Sequence, residues 1–387
     1  MMKSISIKNI GPIKSGMINF GDLTLFVGGH ASGKGILLQL IKLLVDQDHI
    51  RRTLEQYGYV WHDDLQAVMD MYLGEGMSGI AGENFSIVFN GKHLSLNRHV
   101  ATNASNANNA VQSLFYIPAQ HVFGLQNGWP RFFSDYEDSA PYVLRHFSET
   151  LRQYLEANTS KQRSDAIFPR SNWLRTPLRD SFNDNIFHDG KIVLDRAVKK
   201  RFKLNIGNSS IPYMAWSAGQ KEFMPLLLSF YWLCPDSSTG RKDSIKYVVI
   251  EEPEMGLHPQ AIESVILQII DLLSRGYKII VSTHSPVFLE FAWAFHYLQK
   301  ANAGDSYLAQ LFNLSPSMSV SELFKNILKE KKINTDYFDR ENDVVQVKDI
   351  SSLDAGSEDL SVADWGGLSS FSSKASDIIS KVMAQEV

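Results

Sequence analysis

The run Leu23-Thr24-Leu25-Phe26-Val27-Gly28-Gly29-His30-Ala31-Ser32-Gly33-Lys34-Gly35 sets the architecture of this chain. Its first five residues are a short, nearly continuous apolar stretch, as expected of a strand covered on both faces. Gly28 to Lys34 then spell G-x-x-x-x-G-K, and apolar residues from Ile36 to Val45 recur at helical spacing. A strand, a glycine turn and a helix in that order form a phosphate cradle, in which Gly28, Ser32, Gly33 and Ile36 line the turn. Its curled backbone converges N–H groups on phosphate oxygens, aided by the helix N-terminus. Lys34 is expected to bridge the β and γ phosphates. Gly35 stands where a Ser or Thr hydroxyl usually ligates Mg²⁺, and Ser32, elsewhere in the loop, is not assumed to replace it. Mg²⁺ can keep carboxylate, phosphate and water ligands. Nucleotide binding is therefore expected to survive, with hydrolysis slow or impaired.

Two further apolar runs end in chemistry. Tyr247-Val248-Val249-Ile250 leads into Glu251-Glu252-Pro253-Glu254, and Ile279-Ile280-Val281-Ser282-Thr283 leads into His284. Ligands of open α/β sheets bind at the C-terminal ends of strands. There Glu251 is expected to hold Mg²⁺ directly or through water, Glu252 to orient or deprotonate the attacking water, and His284 to sense the γ-phosphate. Each also has a plainer reading, as a strand leaving the core into a charged loop or as a structural histidine.

Outward from these runs, Ile5 to Ile7 and Gly16 to Phe20 read as paired strands, and Phe85 to Lys92 as a hairpin turning at Asn90-Gly91. Thr102 to Gln112 reads as an exposed loop and Leu114 to Ile117 as a buried strand closed by Pro118. The β-helix-β order after Met214 predicts a largely parallel arrangement. The expected division is an α/β nucleotide-binding domain over 1–300, with a helical insertion at about 125–185, and a C-terminal extension over 301–387. Within that extension, 349–374 is Ser/Asp-rich and expected to be loosely ordered, and Ala375 to Ala384 has the pattern of a short amphipathic helix. Asp336, Asp339, Glu341 and Asp343 read as a solvated, loop-like run.

Composition narrows the partners. Of 387 residues, 44% are hydrophobic and 21% charged, the balance of an ordinary globular protein. A net charge of −4 argues against a generic polyanion binder. The single cysteine, Cys234, excludes an internal disulfide and a cysteine-based zinc site, and suits a reducing compartment. The longest apolar run, Phe223 to Pro235, falls short of the ~20 residues that cross a bilayer. A soluble, cytoplasmic protein is expected.

With Trp216-Ser217-Ala218-Gly219-Gln220-Lys221 placed between the glycine turn and the acidic strand end, the motifs follow the order of ABC-type ATPases. The run Glu251-Glu252-Pro253-Glu254-Met255-Gly256-Leu257-His258-Pro259 resembles the E-E-P-E-x-x-L-H-P of OLD-like ATPases, and Ile5 to Phe26 resembles the start of RecF and SMC-type proteins. The matching blocks cover roughly 1–45, 114–120 and 205–290. The resemblance implies an ABC-type P-loop fold with mixed and parallel sheets, ATP and Mg²⁺ as ligands, and a head-to-tail dimer or higher oligomer. Ser217, Gly219 and Gln220 would cap the γ-phosphate held by the opposite subunit, and Met255 to His258 would cross the seam. Gln120 would be the lid-loop glutamine that contacts metal or water.

No acidic cluster of the kind a Toprim nuclease needs, and no long heptad stretch, follows His284. The expected function is an ATPase switch for a separately encoded effector, a nuclease or toxin, of the sort found in bacterial anti-phage defence. Two alternatives stand beside it. One is a RecF-like DNA-repair or DNA-end-sensing ATPase using the basic run Val198 to Lys203; the other is a pseudo-ATPase scaffold marked by Gly35.

Overall fold

The computed structural model describes residues 1–101, 110–159, 165–170, 173–235, 240–369, 374–375 and 378–379. Antiparallel strands β1 (Ser4–Ile10) and β2 (Ile13–Asn19) open the chain, with Ile7 opposite Gly16, and β3 (Leu23–Gly28) follows with all six residues buried. Helix α1 (Lys34–Gln56) leaves the glycine turn and α2 (Leu65–Leu73) packs after it. The hairpin of β4 (Ala81–Phe89) and β5 (Lys92–Leu94) turns at Asn90 and Gly91, with φ of 52° and 78°. Next come α3 (Leu96–Ala101) and β6 (Leu114–Ile117).

The expected insertion holds α4 (Tyr142–Thr159) and α5 (Thr176–Phe182), together with short strands β7 (Leu125–Gln126), β8 (Trp129–Pro130) and β9 (Ala166–Phe168). Strands β10 (Lys191–Asp195), β11 (Arg201–Ile206) and β12 (Ser209–Pro212) join β9 in a four-stranded antiparallel sheet. Then α6 (Ala218–Leu233), β13 (Tyr247–Glu251), α7 (Pro259–Ser274), β14 (Lys278–Thr283) and α8 (Pro286–Lys300) alternate. The chain continues through α9 (Asp305–Leu311), α10 (Met318–Glu330), β15 (Ile333–Glu341), β16 (Val344–Asp349) and α11 (Leu360–Ala363).

Ten strands form the main sheet, in the order β5-β4-β1-β2-β16-β15-β3-β14-β13-β6. From β15 to β6 the neighbours are parallel, and β1, β2, β4 and β5 make an antiparallel wing. Of the parallel strands, β3, β6, β13 and β14 read as continuous apolar runs because helices cover both faces. Alternate residues divide between two cores. Leu25, Val27, Val248, Ile250 and Val281 face the side carrying α6, α7 and α8, whereas Phe26, Val249 and Ile280 face the side carrying α1 and α2.

Helix α1 is bent at Asp46, whose φ of −126° and ψ of 25° leave the helical region. The bend delivers its carboxylate to the start of edge strand β6. There it accepts hydrogen bonds from the Ser113 and Leu114 amides at 2.9 Å each and from Lys42 Nζ at 2.6 Å. Lys42 also donates to the Leu114 carbonyl at 2.6 Å. Both side chains are buried, so each charge needs the other, and α1 is pinned to the sheet edge.

The stretch expected as a C-terminal extension corrects the sequence reading. β15 lies between β3 and β16 inside the main sheet, with Thr335 opposite Leu25, so Asp336, Asp339 and Glu341, read as a solvated loop, lie on a strand, while Asp343 stands exposed in the turn after it. Local composition hides this because its partner strand lies at the other end of the chain. Within 349–374, expected to be loosely ordered, part of the chain packs down: Leu353 is fully buried, and Trp365 Nε1 donates to its carbonyl at 3.1 Å, while most of 354–360 is exposed. Most of the Thr102 to Gln112 loop and of the Ala375 to Ala384 helix lies outside the described residues.

Asp336 on β15 is 2% exposed, and its Oδ2 has no hydrogen-bond partner among the described residues. Burial, then the charge of cross-strand Asp349, pushes its carboxyl up to about 8 from the usual 3.8. A folded-state pKa above the unfolded one means that the folded chain holds the extra proton between these values. The stability this group contributes is thus complete below about pH 4 and is lost as pH rises through about 8. Asp336→Asn should unfold at nearly the wild-type temperature at pH 4. At pH 8 it should be more stable by a few kcal/mol, since each tenfold change in an ionisation constant is worth about 1.4 kcal/mol. A difference in melting temperature that stays constant from pH 4 to 8 would contradict this.

Candidate functional site

Parallel register brings four strand ends to one edge. Val27 lies opposite Thr283, and Glu251 opposite Ser282, so the loops after β3, β13 and β14 converge, with the loop after β6 beside them. Between them opens a cavity of about 350 Å³, whose lining includes Ser32, Gly33, Lys34, Gly35, Ile36, Gln120, Glu251, Glu252 and His284.

The glycine turn is held open by backbone geometry. Gly33 caps α1 at φ 88°, where a Cβ would come within 3.0 Å of Ile13 and Pro12 side chains. Gly28 sits at the mouth of the turn at φ 148°, pressed against the Phe338 backbone of β15. Lys34 Nζ donates to the Gly28 and Gly29 carbonyls at 2.9 Å each and to Ser32 Oγ at 3.2 Å. Burial lowers its pKa, opposed by the nearby charges of Glu252, Glu254 and Glu251. An arriving polyanion would exchange these weak carbonyl partners for charged oxygens.

Glu251 is 7% exposed, and its Oε2 accepts from the Ala119 amide at 3.1 Å. Burial pushes its carboxyl up to about 7, partly offset by Ala119 and the adjacent Tyr116 phenol. Glu252 occupies a left-handed backbone conformation, φ 44°, fixed by its amide donating to the Ser282 carbonyl at 2.8 Å. A non-glycine residue in that region carries strain of the kind that clusters at functional sites. Its Oε1 lies 3.2 Å from His284 Nε2, and that contact, ahead of the opposing effect of burial, holds its carboxyl below the usual range.

Three residues act here that sequence reasoning left without a role. Glu254 Oε1 accepts from Thr283 Oγ1 at 2.8 Å and from the His284 amide at 2.5 Å, tying one strand end to the other. The His30 ring lies 4.4 Å from that of His284, between the phosphate turn and the histidine loop. His121, fully buried, contacts the Pro118 carbonyl through Nδ1 at 2.9 Å and fixes the loop bearing exposed Gln120. Glu254 stands in the quoted acidic run, but its partners are visible only in three dimensions.

The Ser217 corner lies apart from the cavity. Ser217 caps α6, its Oγ accepting from the Gln220 amide at 3.3 Å while Gln220 Oε1 accepts from the Ser217 amide at 3.2 Å. Gly219 lies so close to Gly256 that a Cβ would come 2.8 Å from the Gly256 carbonyl oxygen. Ser217 is exposed and Gly219 and Gln220 are half-buried, and none of the three lines the cavity that holds Lys34.

The oxygen donors of Glu251, Glu252 and Gln120 beside a phosphate turn suit a hard cation such as Mg²⁺, which takes one or two carboxylates and fills its shell with phosphate and water. The basic run supplies less free charge than its sequence suggests. Arg201 and Lys203 pair with Asp195 at 3.0 and 2.9 Å, and the Ala197 amide, then these two cations, hold that carboxyl below its usual range.

Removing the Glu254 carboxylate would leave the Thr283 hydroxyl and the His284 amide without their acceptor. Glu254→Ala should therefore lower unfolding free energy by about 1–3 kcal/mol in a denaturant titration. A loss within the scatter of surface substitutions would contradict that linkage.

Residues 146–290 match the family described as "AAA domain, putative AbiEii toxin, Type IV TA system". The family match takes in the Ser217, Glu251 and His284 segments and lies beyond the glycine turn. The Old nuclease of Escherichia phage P2 is 29% identical over 107 residues, which is 28% of this chain and 18% of that protein. The match thus reaches less than a fifth of the relative's length. Among solved structures, an SmcHead bound to the C-winged helix domain of ScpA overlays at TM-score 0.43 and 11% identity, covering 90% of this chain and 97% of that one. The SMC head domain from Thermotoga maritima gives 0.36 and 13%, covering 90% and 98%. Overlays this loose add nothing to the fold, which rests on the strand order and turn geometry above. By its motifs and its matching segments, the chain resembles the ABC/SMC-type P-loop ATPase heads, on the OLD-like side of that group.

Proposed function

We propose that this chain binds ATP with Mg²⁺, dimerises head to tail around it, hydrolyses it slowly, and so regulates a separately encoded effector, a nuclease or toxin. One observation carries the reading: the cavity holding Lys34 lacks Ser217, Gly219 and Gln220, which stand elsewhere as a capped helix N-terminus with Ser217 exposed and the other two half-buried. A helix N-terminus is a ready anion site. Such a corner completes a phosphate site only if a second copy supplies it.

Within the site, Lys34 and the amides of the glycine turn neutralise the β and γ phosphates. Glu252, held by His284 and its own strained backbone, orients the attacking water and accepts its proton. Glu251, with Gln120 lining the same cavity, would hold Mg²⁺, which would supply charge neutralisation at the phosphates. Gly35 brings no hydroxyl, which favours slow turnover. ATP thus acts as an adhesive, and its loss shifts the population back toward separated heads.

The effector and the setting in bacterial anti-phage defence, in the cytoplasm, rest on resemblance to the OLD-like group and on the family match. No helix among the described residues is long and apolar enough to cross a membrane.

The test is crosslinking. Native Cys234 is fully buried. A protein carrying Ala31→Cys and Ser217→Cys should therefore form intermolecular disulfides with ATP and Mg²⁺ and few without nucleotide. Crosslinks that ignore nucleotide, or none at saturating ATP, would refute the arrangement.

A further inference from the structure

Gly35 lies in the first turn of α1 without a positive φ, so the backbone does not demand glycine there. Glycine is also the poorest ordinary helix former after proline. Space gives the reason. A Cβ built at Gly35 would come 2.8 Å from Glu251 Oε1 and 3.9 Å from its Cδ, and among the described residues no other group beyond its chain neighbours and its own helix backbone lies within 4 Å. The carboxyl has little room to yield: it is buried, and its other oxygen is held by the Ala119 amide at 3.1 Å.

Resting on the nucleotide-binding reading above, we propose that Gly35 and Glu251 are a matched pair. The Glu251 carboxylate fills the space a Ser or Thr side chain would take and serves as the metal-side oxygen donor in place of that hydroxyl. A carboxylate at the helix N-terminus is favourable in its own right. Restoring the usual hydroxyl residue therefore damages the site, because its side chain and the glutamate compete for one position. Shortening the acid by one methylene relieves the competition and leaves room for both oxygens.

The experiment measures mant-ATP affinity with Mg²⁺ and with EDTA for the wild-type chain, Gly35→Ser, Glu251→Asp and the double variant. Metal-site neighbours are typically worth about 10–100-fold in affinity. Gly35→Ser should lose at least about tenfold of the Mg²⁺-dependent gain, while its affinity in EDTA stays near wild type. Glu251→Asp alone should also lose gain, and the double variant should recover most of it. A Gly35→Ser protein with an undiminished Mg²⁺ gain, a double variant no better than the worse single one, or an equal collapse in EDTA would overturn the pairing. A wild-type chain that binds mant-ATP without any Mg²⁺ gain would also overturn it. A wild-type chain that binds no nucleotide would instead overturn the underlying reading of the site.

Discussion

The parallel register between β3, β14 and β13 governs nearly every functional feature of this molecule. Val27 faces Thr283 across one pair and Ser282 faces Glu251 across the next, so the phosphate turn, the histidine loop and the acidic strand end leave the sheet together. One slipped residue would send each side chain to the opposite face. The two cores prevent it, since alternate residues of these strands are committed to helices on opposite sides.

Side-chain links then join the converged loops. Glu254 reaches from the β13 end to Thr283 and the His284 amide; His284 returns to Glu252; His30 leans from the phosphate turn onto His284. The backbone at Glu252 pays for its placement in strain, φ 44°, and the Ser282 carbonyl holds it there. Under the proposed function, a change at the γ-phosphate would have a short physical path to these loops. Because Gly256 packs on Gly219, that path continues to the Ser217 corner.

What the sequence made legible was local. β3 and its glycine turn, the β13 and β14 runs and the Asn90-Gly91 hairpin were readable because apolar continuity and turn chemistry act between near neighbours. β15 escaped because Asp336, Asp339 and Glu341 outweigh its apolar residues, and its pairing with β3 joins opposite ends of the chain. The contact between Gly35 and Glu251 escaped for the same reason. The motif showed that a hydroxyl was missing, and only the fold shows what fills its place. The resemblance to two-headed ATPases set the Ser217 corner against a second copy; within one chain it lies apart from the Lys34 cavity.

Sedimentation of the Glu252→Gln chain, which should bind ATP but turn it over too slowly to escape, tests the shared site most directly. With saturating ATP and Mg²⁺ the mass should double from monomer to dimer, and with ADP it should return to monomer. A mass that does not change while bound ATP is measured on the same sample would contradict the account.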